Sequence, residues 1–119
     1  MYEIQWTSLA KKDLILAISY ISDILKAPAA AEKLLDSIEH EVEALSENPH
    51  MFPLSRDENI AHRGIRHFSV KNYMLFYTVE EEIKTVTVIR FLYAKRNWMQ
   101  LLGHSSLQAI DRLHQHHCP

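Results

Sequence analysis

The order of patterns along this chain predicts an α+β domain: an N-terminal strand and a helical hairpin packed on a small antiparallel sheet, β-α-α-β-β-β-α. Three observations predict it. Two consecutive segments carry apolar residues at helical spacing. Three consecutive runs rich in β-branched and aromatic residues follow, separated by turn-like breaks. The helices and the later strands are each clustered in sequence, which suits antiparallel strands joined by short turns rather than alternating βα units.

Tyr2–Trp6 is short, partly alternating and aromatic-ended, and reads as the first strand. Thr7 or Ser8 then caps a helix, since a hydroxyl accepts a bond from an otherwise orphan N–H. Leu14, Ala17, Ile18, Ile21 and Leu25 form its apolar stripe. Lys26-Ala27 breaks the pattern, and Pro28 suits the first turn of a second helix, where a missing N–H costs little. Leu34, Leu35, Ile38, Val42 and Leu45 stripe that helix, and Asn48-Pro49 ends it. Its glutamates most simply face solvent. Residues 49–63 show no period and read as a loop, a kind of segment that often carries function.

Strands follow over 64–71, 73–79 and 85–93, with Glu80–Lys84 a hairpin turn. Lys95–Leu102 suits a short helix with Trp98, Leu101 and Leu102 available to pack, and Gly103 ends it. Residues 1–102 are therefore expected to form one domain, and 103–119 a C-terminal extension, disordered or partly helical.

Composition narrows the class. The chain has 119 residues, 47% of them hydrophobic, which suffices for one core without disulfide or metal. Its single cysteine, Cys118, excludes an internal disulfide. No apolar run approaches the roughly 20 residues of a membrane-spanning helix. The N-terminus lacks the basic and apolar regions of a signal peptide, so a cytoplasmic location is expected. The net charge of −2 hides an asymmetry: residues 29–47 are acidic, and residues 56–102 carry Arg56, Arg63, Arg66, Lys71, Lys84, Arg90, Lys95 and Arg96. The basic half can contact phosphate, but the whole chain is no polycation.

Two arginines interrupt core-like strands, and an arginine is rarely buried without a partner. Strict alternation puts Arg66 beside Phe68 and Val70, and Arg90 beside Val86, Val88 and Leu92, with Tyr93 on the other side. The expectation is a sheet with one covered face and one working face, each arginine rising from an apolar wall that strengthens its attraction for an anion. A structural pairing with a carboxylate is the alternative. Tyr73, Phe76 and Tyr77 read as core, whereas Tyr93, at a strand end beside Lys95 and Arg96, can hold a base. His114, His116, His117 and Cys118 are a terminal cluster without a second ligand pair, and no metal or cofactor is expected. Leu107, Ile110 and Leu113 have the spacing of a further amphipathic turn or two.

The ordered set of these pieces resembles the RelE/ParE superfamily of toxins from bacterial type II toxin–antitoxin systems. It comprises Trp6 before a capped helix, Ala10–Tyr20 with Asp13 and Leu14, the acidic helix ending Asn48-Pro49, Gly64-Ile65-Arg66, Asn72–Tyr77 and Val88–Trp98. The resemblance covers about residues 2–102. It implies a growth-arresting, plasmid-stabilising kind of toxin neutralised by a cognate antitoxin, which would add a helix or strand across the sheet and cover the basic face. RelE-like members cut messenger RNA on the ribosome, while ParE-like members share the fold and poison DNA gyrase, so fold alone does not fix the target.

On the RelE-like reading, Arg66 and Arg90 match phosphate-stabilising arginines, Tyr93 matches a proton-transferring or stacking position, and His62 and His67 are secondary candidates for the base. Target or antitoxin binding would fall to Arg56, Arg63, Arg66, Lys71, Arg90, Lys95 and Arg96. The long hairpin, the modest charge and the absence of a lysine-bearing loop before Gly64 favour the ParE-like reading, which needs no catalytic residue. An inactive toxin-fold binding module is the third.

Overall fold

The computed structural model describes residues 1–52 and 63–95. Strand β1 (Glu3–Trp6) leads into helix α1 (Ser8–Ser19), which runs on as a π-helical segment (Tyr20–Ile24); helix α2 (Pro28–Glu47) returns. Strands β2 (Arg66–Val70), β3 (Tyr73–Glu80) and β4 (Thr85–Tyr93) form an antiparallel meander. β1 joins its β4 edge in parallel, giving one four-stranded sheet of order β1-β4-β3-β2. The expected helix after Lys95 lies outside the described residues.

Local chemistry accounts for these elements. Thr7 is the cap of α1: its hydroxyl accepts the Ala10 N–H at 3.0 Å. The same hydroxyl donates to the Ile89 carbonyl at 3.2 Å, and the Thr7 N–H donates to the Val88 carbonyl at 3.0 Å, so the cap also fastens the helix start to β4. Pro28 stands in the first turn of α2 and Asn48 closes it. Lys71 takes a left-handed backbone, φ 56°, in the two-residue link that returns β2 into β3. At the far end of the sheet, the Tyr2 hydroxyl donates to Glu81 at 2.6 Å and His50 bonds the same carboxylate, joining β1, the end of α2 and the β3–β4 turn.

One side of the sheet carries the helices. Ala10 and Ala17 of α1 and Leu34, Ile38 and Leu45 of α2 pack on Phe68, Val70, Leu75, Tyr77, Val86, Val88 and Phe91. Leu14 and Ile18 of α1 and Ile21 of the π-helical segment join as expected, but Leu25 does not: it is 55% exposed. The π-helical segment explains this. The Leu25 N–H bonds back to the Tyr20 carbonyl, five residues earlier, so the turn holds an extra residue and the helical stripe slips out of phase.

A second phase shift corrects the reading of β4. Tyr77 pairs with Val88, but Phe76 pairs with Arg90, so Ile89 is an extra residue at a bulge. Beyond it the sides exchange. Arg90 and Leu92 lie opposite Val86 and Val88, while Phe91 and Tyr93 lie with them on the helix-covered side. The expectation of one covered and one working face also fails, because Phe76, Arg90 and Leu92 on the second face are themselves buried.

Arg90, 8% exposed, forms a bidentate pair with Asp13 of α1, Nε to Oδ2 at 2.7 Å and Nη2 to Oδ1 at 3.0 Å. Asp13 Oδ2 accepts a third bond, from the Phe91 N–H at 3.1 Å. Asp13→Ala leaves the arginine buried without this carboxylate, and is expected to lower the unfolding free energy by about 3–5 kcal/mol. The double change Asp13→Leu with Arg90→Met recovers most of that loss, because it removes both charges together. Urea denaturation of the two variants measures the difference.

Candidate functional site

The π-helical segment and the far ends of β3 and β4 face each other across a groove of about 820 Å³. Leu16, Tyr20, Ile24 and Leu25 line the helical side, and Asn72, Tyr73, Phe91 and Tyr93 line the sheet side. These helical residues are mostly exposed, Leu16 by 60% and Ile24 by 67%. Exposed apolar side chains gathered at one place, unlike scattered ones, mark a contact surface.

The sheet wall is an aromatic stack. Tyr73 lies on Phe91 with ring centres 4.9 Å apart and planes 9° from parallel, and Tyr93 meets Tyr73 edge-on at 5.7 Å. Burial raises the Tyr73 hydroxyl above its ordinary range, and the neighbouring Tyr93 and Tyr20 hydroxyls raise it further. Tyr73 therefore presents a neutral hydroxyl at neutral pH. The Ala94 N–H donates to the Asn72 carbonyl at 2.8 Å, closing this end of the sheet and setting exposed Lys71 and Lys95 on either side of the closure. Asp23, also exposed, lines the helical side.

The sequence-predicted residues are distributed rather than assembled. Arg66 pairs in register with Tyr77 and lies on the helix-covered side, whereas Arg90 lies on the other. Arg66 Nη1 donates to the Phe52 carbonyl at 2.6 Å, holding the stretch where Phe52 stacks on Phe68 at 4.5 Å. Tyr93 shares a side with Arg66 but sits at the opposite end of the strands: Tyr73, its partner, is four residues from Tyr77, ~14 Å along β3. His67 faces Phe76 on the second side at 5.5 Å, and burial lowers its pKa. Arg63, Lys71 and Lys95 are exposed. Arg56, His62 and Arg96 lie outside the described residues.

What this arrangement offers is an apolar, aromatic cleft with a polar rim, suited to an inserted side chain or helix face. The residues that build it were partly overlooked in the sequence, because Leu16, Tyr20 and Ile24 fall off the stripe that packs on the sheet. Their signal was present nonetheless: α1 has more large apolar residues than one buried face requires.

A family model described as "ParE toxin of type II toxin-antitoxin system, parDE" matches residues 4–98. The chain belongs to this family. Solved structures similar to this ParE-family chain include the chromosomal ParDE toxin–antitoxin system of P. aeruginosa, at TM-score 0.63 and 20% identity over 80% of this chain and 98% of that one. The RelBE2 toxin–antitoxin complex of Mycobacterium tuberculosis aligns at TM-score 0.54 and 24% identity, covering 77% and 96%. The isolated E. coli RelE toxin aligns at TM-score 0.55 and 15% identity, covering 95% and 99%. No curated protein matches the sequence. The fold is thus common to toxins of both names.

Tyr77 tests the packing that carries Arg66. It is fully buried, its hydroxyl donates to the Pro49 carbonyl at 2.9 Å, and burial pushes its pKa up to about 12 from 10.0, with Arg66 pulling the other way. Because the folded value is raised, this group's stabilisation is complete below pH 10 and is lost as pH climbs through 12. Ultraviolet titration should show a tyrosine ionising near pH 12 that the unfolded chain lacks, and Tyr77→Phe should abolish that late phase.

Proposed function

We propose that the protein is the toxin of a toxin–antitoxin pair and arrests growth by docking on its target, as a ParE-like inhibitor of DNA gyrase, rather than by cutting RNA. One observation carries this reading. Arg66 and Arg90, the cations that phosphodiester cleavage would require together, emerge on opposite faces of the sheet and bond protein atoms, the Phe52 carbonyl and the Asp13 carboxylate. Transition-state stabilisation needs donors converging on one point. The match to the ParE family model supports the same side.

The antitoxin partner follows from the same relatives, two of which are toxin–antitoxin systems. An amphipathic segment of that partner suits the apolar groove, with its acidic residues toward Lys71 and Lys95. Arg63, and Arg56 and Arg96 beyond the described residues, stay candidates for target contact. A cytoplasmic site of action belongs to this proposal.

The test is pulse-labelling within minutes of inducing the chain in bacteria, alongside supercoiling by purified gyrase. Thymidine incorporation should fall first, with DNA breakage, and amino-acid incorporation should follow later. Arg66→Ala, if the variant stays folded, should retain most of the toxicity. An early collapse of amino-acid incorporation with mRNA cut on ribosomes, abolished by Arg66→Ala, would establish the RelE-like reading instead. No effect on either label would favour an inactive binding module.

A further inference from the structure

The end of the sheet farthest from the groove brings three ligand-type side chains together, an imidazole, a carboxylate and a phenol. We propose that His50 and Glu81 form a binding site for a zinc-type divalent cation, with Tyr2 positioning the carboxylate, so that a bound ion staples the start of β1 to the end of α2 and to the β3–β4 turn.

Geometry is the first argument. Glu81 uses its two oxygens separately: Oε2 accepts the Tyr2 hydroxyl at 2.6 Å, and Oε1 meets Nε2 of His50. An imidazole nitrogen and a carboxylate oxygen therefore already face each other, joined by the proton of a hydrogen bond. A divalent cation entering between them takes the place of that proton, which leaves to solvent. Tyr2 keeps its bond to the other oxygen, the role that outer-shell donors play for ligating carboxylates.

Anchorage is the second. Each of the three side chains leaves a backbone that is tied down. The Tyr2 N–H donates to the Ser46 carbonyl at 2.7 Å, and the Glu81 carbonyl accepts the Lys84 N–H at 3.2 Å. The carbonyl of Pro49, next to His50, accepts the buried Tyr77 hydroxyl at 2.9 Å. Little ordering is left for a bound ion to impose, which favours binding. His50 and Tyr2 stand 31 and 79 residues from Glu81, so no spacing motif announces the site in the sequence.

The donor set is the third, and it selects the ion. An imidazole nitrogen suits zinc and its neighbours, whereas magnesium and calcium prefer oxygen. Water must complete the shell, because among the described residues no third His, Cys, Asp or Glu side chain joins the pair. The two side chains are 47% and 52% exposed, which leaves room for that water. The site is thus open and exchangeable, unlike the closed four-ligand sites of structural zinc. Lys84 opposes it: its ammonium lies over the Tyr2 ring, 5.1 Å from the centre. What the ion would secure is a weak point of the fold. β1 pairs with β4 over only four residues and in parallel, the less stable pairing, and leads straight to the Thr7 cap. The site lies ~24 Å along β3 from the groove, and the inference does not depend on which target the toxin strikes.

The test uses the full chain carrying His114→Ala, His116→Ala, His117→Ala and Cys118→Ser, so that the terminal cluster takes up no zinc. Zinc chloride is titrated in and followed by calorimetry, by the histidine ring nitrogens in NMR and by Tm. Binding should saturate at a single site, move His50 Nε2 to a metal-bound shift and raise the Tm. His50→Ala and Glu81→Gln, both at exposed positions, should each remove the saturable binding and the gain in Tm. Tyr2→Phe should weaken binding by about tenfold while His50 Nε2 still reports the metal. Lys84→Met, which removes the opposing charge, should tighten it. Zinc binding that leaves the His50 ring unmoved, or no saturable binding at all, would overturn the proposal. So would magnesium binding as tightly as zinc and surviving His50→Ala, because the acidic turn Glu80–Glu82 would then merely be collecting cations.

Discussion

The carboxylate of Asp13 is the point on which the rest of this structure turns. Strand β1 stops at Trp6, opposite Val88, and among the described residues no strand pairs with the following stretch of β4 on that side. An unpaired N–H in a packed interior costs as much as a lost hydrogen bond. Asp13 supplies the missing acceptor from α1 by taking the Phe91 N–H, and with the same group it neutralises Arg90. Two charges buried together gain little over an apolar pair, since desolvation offsets their attraction. Three hydrogen bonds on one carboxylate change the balance, and they fix direction: α1 has one height and one rotation at which Asp13 reaches both donors. Thr7 fastens the start of the same helix to the carbonyls of Val88 and Ile89. Helix and central strand are thereby locked at two successive points.

The groove follows from that lock. With α1 held over β4, its continuation must pass the ends of β3 and β4 at a set distance, and the π-helical turn decides which side chains it shows there. In an unbroken α-helix Leu25 would continue the stripe of Ile18 and Ile21 toward the sheet. The extra residue in the Tyr20–Ile24 turn puts Leu25 on the groove instead. Apolar area is then left exposed at a cost of roughly 25 cal/mol for each Å² that could have been buried. A fold that keeps such a surface in one place, beside a stack of three aromatic rings, is arranged for an occupant rather than for maximal stability of the bare chain.

Most of the architecture was legible in the sequence, because it rests on periodicity and on single-residue breaks. Pro28, Asn48 and the Glu80–Lys84 turn end or start elements where the pattern changes, and the structure keeps each of these. The parallel attachment of β1 carries no such mark, since pairing across the whole chain leaves no local signal. The arginines were visible as anomalies, and the two physical options for them, an anion from outside or a carboxylate from within, were both on the page of the sequence. What alternation could not give was the choice. The bulge at Ile89 reverses the side on which every later residue of β4 stands, and one extra residue is invisible to a period of two. The groove was hidden in the same way, by one extra residue in a helix.

Both phase shifts act on the walls of one groove, and together they decide which side chains it presents. The β4 bulge turns Arg90 away from the Val88 side and toward a carboxylate, and it turns Phe91 and Tyr93 toward the helices, where they form the groove wall. Without the bulge, strict alternation would return Arg90 to the side of Val88 and Arg66 and take the aromatic wall to the opposite one. Whether Ile89 is taken up as a bulge therefore separates two arrangements of the same residues: unbulged, Arg90 and Arg66 share a face; bulged, the rings take that face and Arg90 is buried against Asp13. The sheet, its strand order and its core positions from Val70 to Val88 are the same in both. In this chain the second arrangement is the one stabilised by Asp13, and any gain of a converging cationic site would have to break that three-bond contact first.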